Sequence, residues 1–348
     1  MGLNNLLGYG RMPAGFVKRQ VQTGGNKIMG SKTRALIEQH FHGAYGVNFS
    51  TCSKDDVLML AQKLKQKNGI GGIFPTLITD SLTNIRRQIE VIKSAALETT
   101  SSIAEILGIH IEGVFINPRR KGVHNARQII EPSIENYKKI EDDFIRIVTL
   151  SPERCRKFAQ KTGQGNLMDY LKKKGVKVQA GHCEASDLSG CDGVTHLFNA
   201  MSPVNHHVGT ESTALRALVS DKLYTEVIGD GLHLSDDALK LVFRSKPADK
   251  ILLISDCLPN AGLSPKECPS FDFAGKTIYW DGEKSFDKDG VLAGSAKLLS
   301  EIIKIISSKK IVKDAQIEQF INNPYEYHGI TKDLGEVSWD SAWNIVRK

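Results

Sequence analysis

The chain has no CxxC pair. Its six cysteines (Cys52, Cys155, Cys183, Cys191, Cys257 and Cys268) stand singly. That argues against a disulfide frame and for reduced thiols in a cytoplasmic protein. No uninterrupted apolar run approaches the ~18 residues of a membrane span. The opening segment, MGLNNLLGYGRMPAGFVKRQ, has no charged stretch followed by a long apolar core and reads as a poor signal peptide. Leu6 stands where an N-myristoylation signal needs Ser or Thr. Aromatic residues make up only 7%, and no basic stripe interleaves with them. Neither a nucleic acid nor a membrane is therefore an expected partner. Internal repeats and low-complexity tracts are absent too. Neither charge sign dominates: the net +7 (46 basic minus 39 acidic) is spread along the chain. It reads as solubility, with a weak pull on an anionic substrate as the alternative.

What is present is a core-forming chain of 348 residues, 41% hydrophobic. It is long enough for one large α/β domain or two ordinary ones. Eight apolar, β-branched runs recur near 35–39, 72–76, 108–111, 145–150, 176–181, 193–197, 225–229 and 251–255. Most are separated by segments of helical period. Ser53 and Asp56 form a capping box ahead of Val57, Leu60, Ala61 and Leu64. A second helix spans 81–96, and Ser235 caps a third. Strand and helix alternating eight times predict a (β/α)₈ barrel rather than an open doubly wound sheet. The link between His182 and His196 is short for a crossover helix, so a single turn near 186–190 is expected there.

After the eighth run the pattern changes. Short strands at 271–273, 277–280 and 284–286, with a turn at Asp281-Gly282, read as hairpins outside the barrel. Helix returns over 294–307, and strand at 335–337 and 343–346. Two further strands are expected at 16–21 and 26–29. The simplest division puts 1–34, 268–292 and 328–348 in a small β-sandwich. The barrel takes 35–267 and 293–327.

In a barrel, chemistry gathers at the carboxyl ends of the strands. Run one ends in His40-Phe41-His42, run three in Glu112, run five in His182 and run eight in Asp256. Run six holds His196. Asp230-Gly231-Leu232-His233 follows run seven. A carboxylate at the end of a buried strand is costly unless paired or bound to a metal. Imidazole and carboxylate are ligands for a divalent ion, with Zn²⁺ the first choice and Fe²⁺ or Mn²⁺ the alternatives. The period of two puts His40 and His42 on one strand face. Asp256 could serve as ligand and as general base. Singly, each has a bland reading as a core group, a cap or a surface group. Together they are hard to obtain by chance. His110 is read as a bystander, His328 as a surface group, and His206-His207 as an exposed loop or part of the site.

These residues resemble the N-acetylglucosamine-6-phosphate deacetylase family of the amidohydrolase superfamily. The resemblance rests on His40-Phe41-His42-Gly43, on His110-Ile111-Glu112-Gly113 and on Lys121-Gly122-Val123-His124-Asn125. It continues through Gly181-His182, Thr195 to Met201, Asp230 to His233, Ser255-Asp256 and Gly290 to Ser295. It implies Glu112, His182 and His196 as ligands of a primary metal, and His40 and His42 as a second site present in some members. It implies Asp256 as the base that later protonates the leaving amine, and His124 as the group that polarises the acetamide carbonyl. His233, Asn199 and the Ala200 backbone would then contact the sugar. The implied substrate is an amino-sugar phosphate, and family members are commonly homodimers. Three departures stand out. Val114 replaces a usual Pro, and Cys257-Leu258-Pro259-Asn260 replace small residues. His207 falls where an Arg would grip the substrate phosphate, and it lacks that group's bidentate fork and permanent charge. A related amidohydrolase acting on another N-acetyl sugar or amide, and a non-catalytic barrel binding a sugar or a metal, are the alternative readings.

Overall fold

The computed structural model describes residues 30–346. The strands expected at 16–21 and 26–29 lie outside them. Eight parallel strands build the barrel: β1 (Leu36–Phe41), β2 (Ile70–Ile78), β3 (Ile109–Glu112), β4 (Ile145–Leu150), β5 (Lys177–Ala180), β6 (Gly193–Val194), β7 (Tyr224–Ile228) and β8 (Ile251–Ile254). The eight apolar runs of the sequence fall on these strands. The circle closes between β8 and β1 beyond the end of β8. There the Asp256 N–H donates to the His40 carbonyl at 2.9 Å, and the His42 N–H to the Cys257 carbonyl at 2.8 Å.

Helices cover the outer face, which is why β2 is buried along its whole length. The helix Lys54–Asn68 starts at the Ser53–Asp56 capping box, buries Val57, Leu60, Ala61 and Leu64, and stops at Gly69, whose φ of 65° a side chain would resist. Leu82–Ala96 is capped by Ser81, and its buried face carries Ile85, Ile89 and Ile92. Asp236–Ser245 is capped by Ser235. The link between β5 and β6 carries no helix, only a turn at Ser189 and Gly190. The helix expected from 294 begins at Leu299. Leu292–Gly294 is instead a strand, and Ser295 bridges to Cys257. Among the described residues no helix is long and apolar enough to cross a membrane.

Among the described residues three small sheets complete the fold, the least of them the hairpin of Gly43–Ala44 and Val47–Asn48 just beyond β1. Ser31–Arg34 pairs antiparallel with Glu336–Trp339, joining the two ends of the described chain. This sheet sits at the amino-terminal ends of the barrel strands, where the Ala35 N–H donates to the Gly335 carbonyl at 2.8 Å. The expected strand at 343–346 contributes a single bridge, Ile345 to Trp339. The second sheet holds Ser270–Phe273, Lys276–Trp280, Ser285–Asp287 and Leu292–Gly294. It packs over the carboxyl mouth through Phe273 and Ile278 against Ile78, Val123 and Leu258. The architecture is thus the barrel with accessory β-structure that the sequence implies. Its two larger accessory sheets lie one at each end.

Barrel interiors are commonly filled with layers of branched apolar side chains. Here polar groups fill part of the space. His110 Nε2 lies 2.8 Å from Thr149 Oγ1, and Thr149 Oγ1 lies 2.7 Å from Thr195 Oγ1. The Thr195 hydroxyl reaches Gln179 Oε1 at 2.9 Å. His328, expected at the surface, packs against this interior. Its ring stacks on Phe74 at 4.3 Å, and Nε2 lies 3.0 Å from Gln39 Oε1. Burial pushes its pKa down to about 3. The misreading has a simple cause. His328 is the last residue of the helix Asp314–His328, a position usually solvated, but this helix end faces the amino-terminal end of the barrel.

Candidate metal centre and active site

Glu112 is the hub. It ends β3, is 2% exposed, and five imidazoles converge on it. Its Oε1 lies 3.2 Å from His182 Nε2, 3.0 Å from His196 Nε2 and 3.4 Å from His40 Nε2. Its Oε2 lies 3.1 Å from His42 Nε2 and 3.6 Å from His124 Nε2. Asp256 Oδ1 faces the same cluster, 3.5 Å from His40 Nε2 and 3.4 Å from His42 Nε2. Residues drawn from strands far apart in the chain thus share one rim. Glu112, His182 and His196 form one group able to hold an ion; His40, His42 and Glu112 form another.

The backbone turns these side chains inward at some cost. His182, His196 and Asp256 have φ of 47°, 27° and 50°. A left-handed conformation at a non-glycine residue costs on the order of 1–3 kcal/mol. Each of the three lies just beyond a barrel strand, where that turn aims the side chain into the mouth.

The residues fit a divalent ion. Burial alone would raise the Glu112 pKa, but the imidazoles around it, His40 first, hold its carboxyl well below the usual range. Burial likewise disfavours a charged His40, yet Glu112 and Glu226 hold that imidazole's pKa well above its ordinary value. Three buried carboxylates, Glu112, Glu226 and Asp256, therefore demand positive charge among them. A metal competes with protons for such a place. The outer contacts orient the ligands. His182 Nδ1 lies 2.7 Å from the Arg120 carbonyl, which only accepts, so Nδ1 carries the proton and Nε2 presents a lone pair. His40 Nδ1 lies 2.9 Å from Glu226 Oε2, and among the described residues its buried Nε2 makes no hydrogen bond, facing Glu112 Oε1 and Asp256 Oδ1 at 3.4 and 3.5 Å.

The remaining candidates spread outward. His124 is buried, with Nδ1 2.6 Å from Thr79 Oγ1 and its ring 4.3 Å from that of His182. Burial, then the neighbouring His182, pushes its pKa down to about 4, so the ring is neutral at pH 7. His233 Nδ1 lies 2.8 Å from Asp230 Oδ2. Burial opposes both charges of that pair. The hydrogen bond nonetheless raises the His233 pKa and brings Asp230 down to about 2. Asn199 and Ala200 sit half-buried on the turn after His196. His207 is exposed, its ring tilted against that of His206 at 4.1 Å; it does not touch the Glu112 cluster. His110 is interior and neutral, its pKa lowered to about 3 by burial. With His40 and Glu226 it forms a third group of ligand type.

Sequence reasoning missed Glu226, Glu38 and Thr79. Glu226, fully buried on β7, bonds His40 and accepts from Gln39 Nε2 at 2.6 Å. Glu38 lies on β1 and accepts from the Ser255 N–H at 3.2 Å; burial lifts its pKa to about 8. The rule that flagged Glu112 looked to strand ends, whereas Glu38 and Glu226 lie inside their strands; widened to any carboxylate in a buried strand, it marks both. Thr79 carries no comparable signal.

No family model matches the chain. Individual relatives do. The N-acetylglucosamine-6-phosphate deacetylase of Bacillus subtilis (strain 168) is 32% identical over 282 residues, 76% of this chain and 67% of the relative. The chain belongs to the N-acetylglucosamine-6-phosphate deacetylase family. An N-acetylgalactosamine-6-phosphate deacetylase of Escherichia coli O157:H7 is 27% identical, over 90% of this chain and 82% of the relative. The crystal structure of the N-acetylglucosamine-6-phosphate deacetylase from Pasteurella multocida superposes with a TM-score of 0.79 at 26% identity. It covers 91% of this chain and 84% of that one. The chain is a metal-dependent amidohydrolase, and the His/His/Glu groups above are of a kind that could hold its divalent ion.

Proposed function

We propose that the chain hydrolyses the N-acetyl group of N-acetylglucosamine 6-phosphate, giving glucosamine 6-phosphate and acetate. One observation carries this reading: the Asp256 carboxylate stands at the rim of the Glu112 cluster, within 3.5 Å of ligand-type nitrogens. A ligand set alone suits a binding protein. A ligand set beside a proton acceptor suits hydrolysis. Glu112, His182 and His196 would hold a divalent ion, which would supply a nucleophile near neutral pH and draw charge from the carbonyl oxygen. Asp256 takes the proton of the attacking water and hands it to the departing amine nitrogen. His124 donates to the acetamide oxygen as charge builds there. His233, steadied by Asp230, and the Asn199–Ala200 turn hold the sugar. His207 meets the phosphate.

Zinc as the resident ion suits an all-imidazole and carboxylate set. A second ion, which His40, His42 and Glu112 would hold, belongs to the same reading, as do a homodimer and a cytoplasmic setting. The last is supported by six free thiols. Metal analysis and anomalous scattering would separate zinc from iron or manganese and count the ions.

Acetate release decides the substrate. Turnover of N-acetylglucosamine 6-phosphate, with little from the unphosphorylated sugar, is the expected result. Preference for N-acetylgalactosamine 6-phosphate would move the assignment to the second sugar, the one that the Escherichia coli relative's name carries. No acetate from any of these, with metal bound, would sink the proposal. His207→Ala should raise KM for the phosphorylated sugar by about 3- to 5-fold, the scale of an exposed ion pair, and leave KM for the neutral sugar unchanged. Equal effects on both would remove His207 from the phosphate.

A further inference from the structure

We propose that Thr79 is a positioning residue that sets the tautomer of His124, so that this imidazole presents an Nε2–H donor to the substrate's acetamide oxygen. The inference rests on the deacetylase reading for its consequence. Its geometry stands apart from that reading.

Thr79 is the first residue beyond β2. Its Oγ1 accepts the Val114 N–H at 2.9 Å and lies 2.6 Å from His124 Nδ1. A hydroxyl has one hydrogen to give. The Val114 N–H cannot receive it, so among these partners only His124 Nδ1 can. Nδ1 is then the bare nitrogen, and Nε2 carries the proton. The other tautomer fails on two counts. It would strand the buried hydroxyl hydrogen of Thr79, which is 1% exposed. It would also turn an Nε2 lone pair toward Glu112 Oε2, 3.6 Å away. A lone pair there repels the carboxylate and cannot stabilise charge on a carbonyl oxygen.

The chain is shaped to make this contact. Gly113 has φ 114°, and a Cβ there would overlap Thr79 Oγ1 and lie 2.9 Å from His124 Nδ1. Only glycine lets the two approach. Val114 follows with φ 51°, a strained value for a β-branched residue. Its N–H donates to the Thr79 hydroxyl. Proline at 114 could neither adopt this φ nor donate, so the second hydrogen bond depends on the residue present in this chain.

The test compares the zinc-loaded wild type, Thr79→Val and Thr79→Ser. Valine keeps the shape and removes the hydroxyl; serine restores it. Thr79→Val should lower kcat by about tenfold to a hundredfold, toward the loss seen when an oxyanion donor is removed. KM should stay within about twofold and metal content should be unchanged. Thr79→Ser should recover to within about threefold of wild type. With ¹⁵N-histidine labelling, the His124 signals should show a bare Nδ1 and a protonated Nε2 in wild type and Thr79→Ser, and a tautomer mixture in Thr79→Val. The proposal falls if Thr79→Val turns over like wild type, if it loses its metal, or if wild-type Nδ1 is protonated. Should Thr79→Val not fold, the wild-type and serine spectra still decide. If wild type releases no acetate, the deacetylase reading fails while the ring-nitrogen signals still report the tautomer.

Discussion

Asp256→Asn lowers kcat by about 10³-fold or more while the protein keeps its full metal content. General-base catalysis contributes roughly 10²- to 10⁴-fold. Here the same group both accepts and returns the proton, so both steps are lost together. Asparagine preserves the shape and one oxygen facing His40 and His42, at 3.5 and 3.4 Å in the native chain, and so leaves the pocket intact. It has no basic oxygen. The Glu112, His182 and His196 group does not include position 256, which is why metal persists. Burial opposes charge on Asp256, but the hydrogen bond to His42 and the charges of His40 and His42 outweigh it and lower its pKa. The carboxylate is therefore ionised, as a base must be, throughout the neutral range. Protonation should cut kcat/KM only on the acid side, and the variant should lack that limb. Steady-state kinetics beside metal analysis measures both. Retention of more than a tenth of wild-type kcat would remove Asp256 from its role.

Much of this site can be read from the chain because the barrel imposes a rule. A polar side chain at the carboxyl end of an apolar run is carried to the mouth whichever strand it belongs to. Glu112, His182 and Asp256 each follow a recognisable run, so their convergence depends only on counting strands correctly. The weakest strand, β6, spans just Gly193–Val194, and His196 lies two residues past its end. It still reaches Glu112 because a backbone φ of 27° turns it inward. No periodicity reports that turn.

What the chain conceals is the layer behind the ligands. Thr79 and the Arg120 carbonyl act through hydrogen bonds across loops, and a threonine or a peptide group looks the same in a site as anywhere else. Glu226 was visible in principle, as a charge inside TEVI. His328 was not, because its helix end reads as solvated by its own period. Only the assembled barrel shows that it faces Gln39 and Phe74. The stacking of the four-stranded sheet over the mouth was likewise hidden, because it depends on Phe273 and Ile278 finding Ile78 and Leu258 at long range.

Glu112→Gln should strip the protein of metal and reduce turnover below detection, a loss of at least about 10³-fold. The contrast with Asp256→Asn is the point: one variant is inactive with metal, the other inactive without it. Glutamine offers a single carbonyl oxygen where the native residue uses two, one toward His182 and His196 and one toward His42. It also removes a negative charge from a group only 2% exposed. Breaking a buried ion pair costs about 3–5 kcal/mol, so the metal-free variant should also melt below metal-free wild type. The pH dependence of that difference has a definite sign. The Glu112 pKa is depressed by folding, so its stabilisation is fully present above the ordinary carboxylate pKa. It is lost as pH falls through the depressed one, and the two melting curves should approach each other in acid. Thermal unfolding of chelator-treated protein across pH, with metal content measured before treatment, checks each part. A Glu112→Gln protein that retained wild-type metal would mean that the ion is held elsewhere, and the cluster around Glu112 would lose its place in the chemistry.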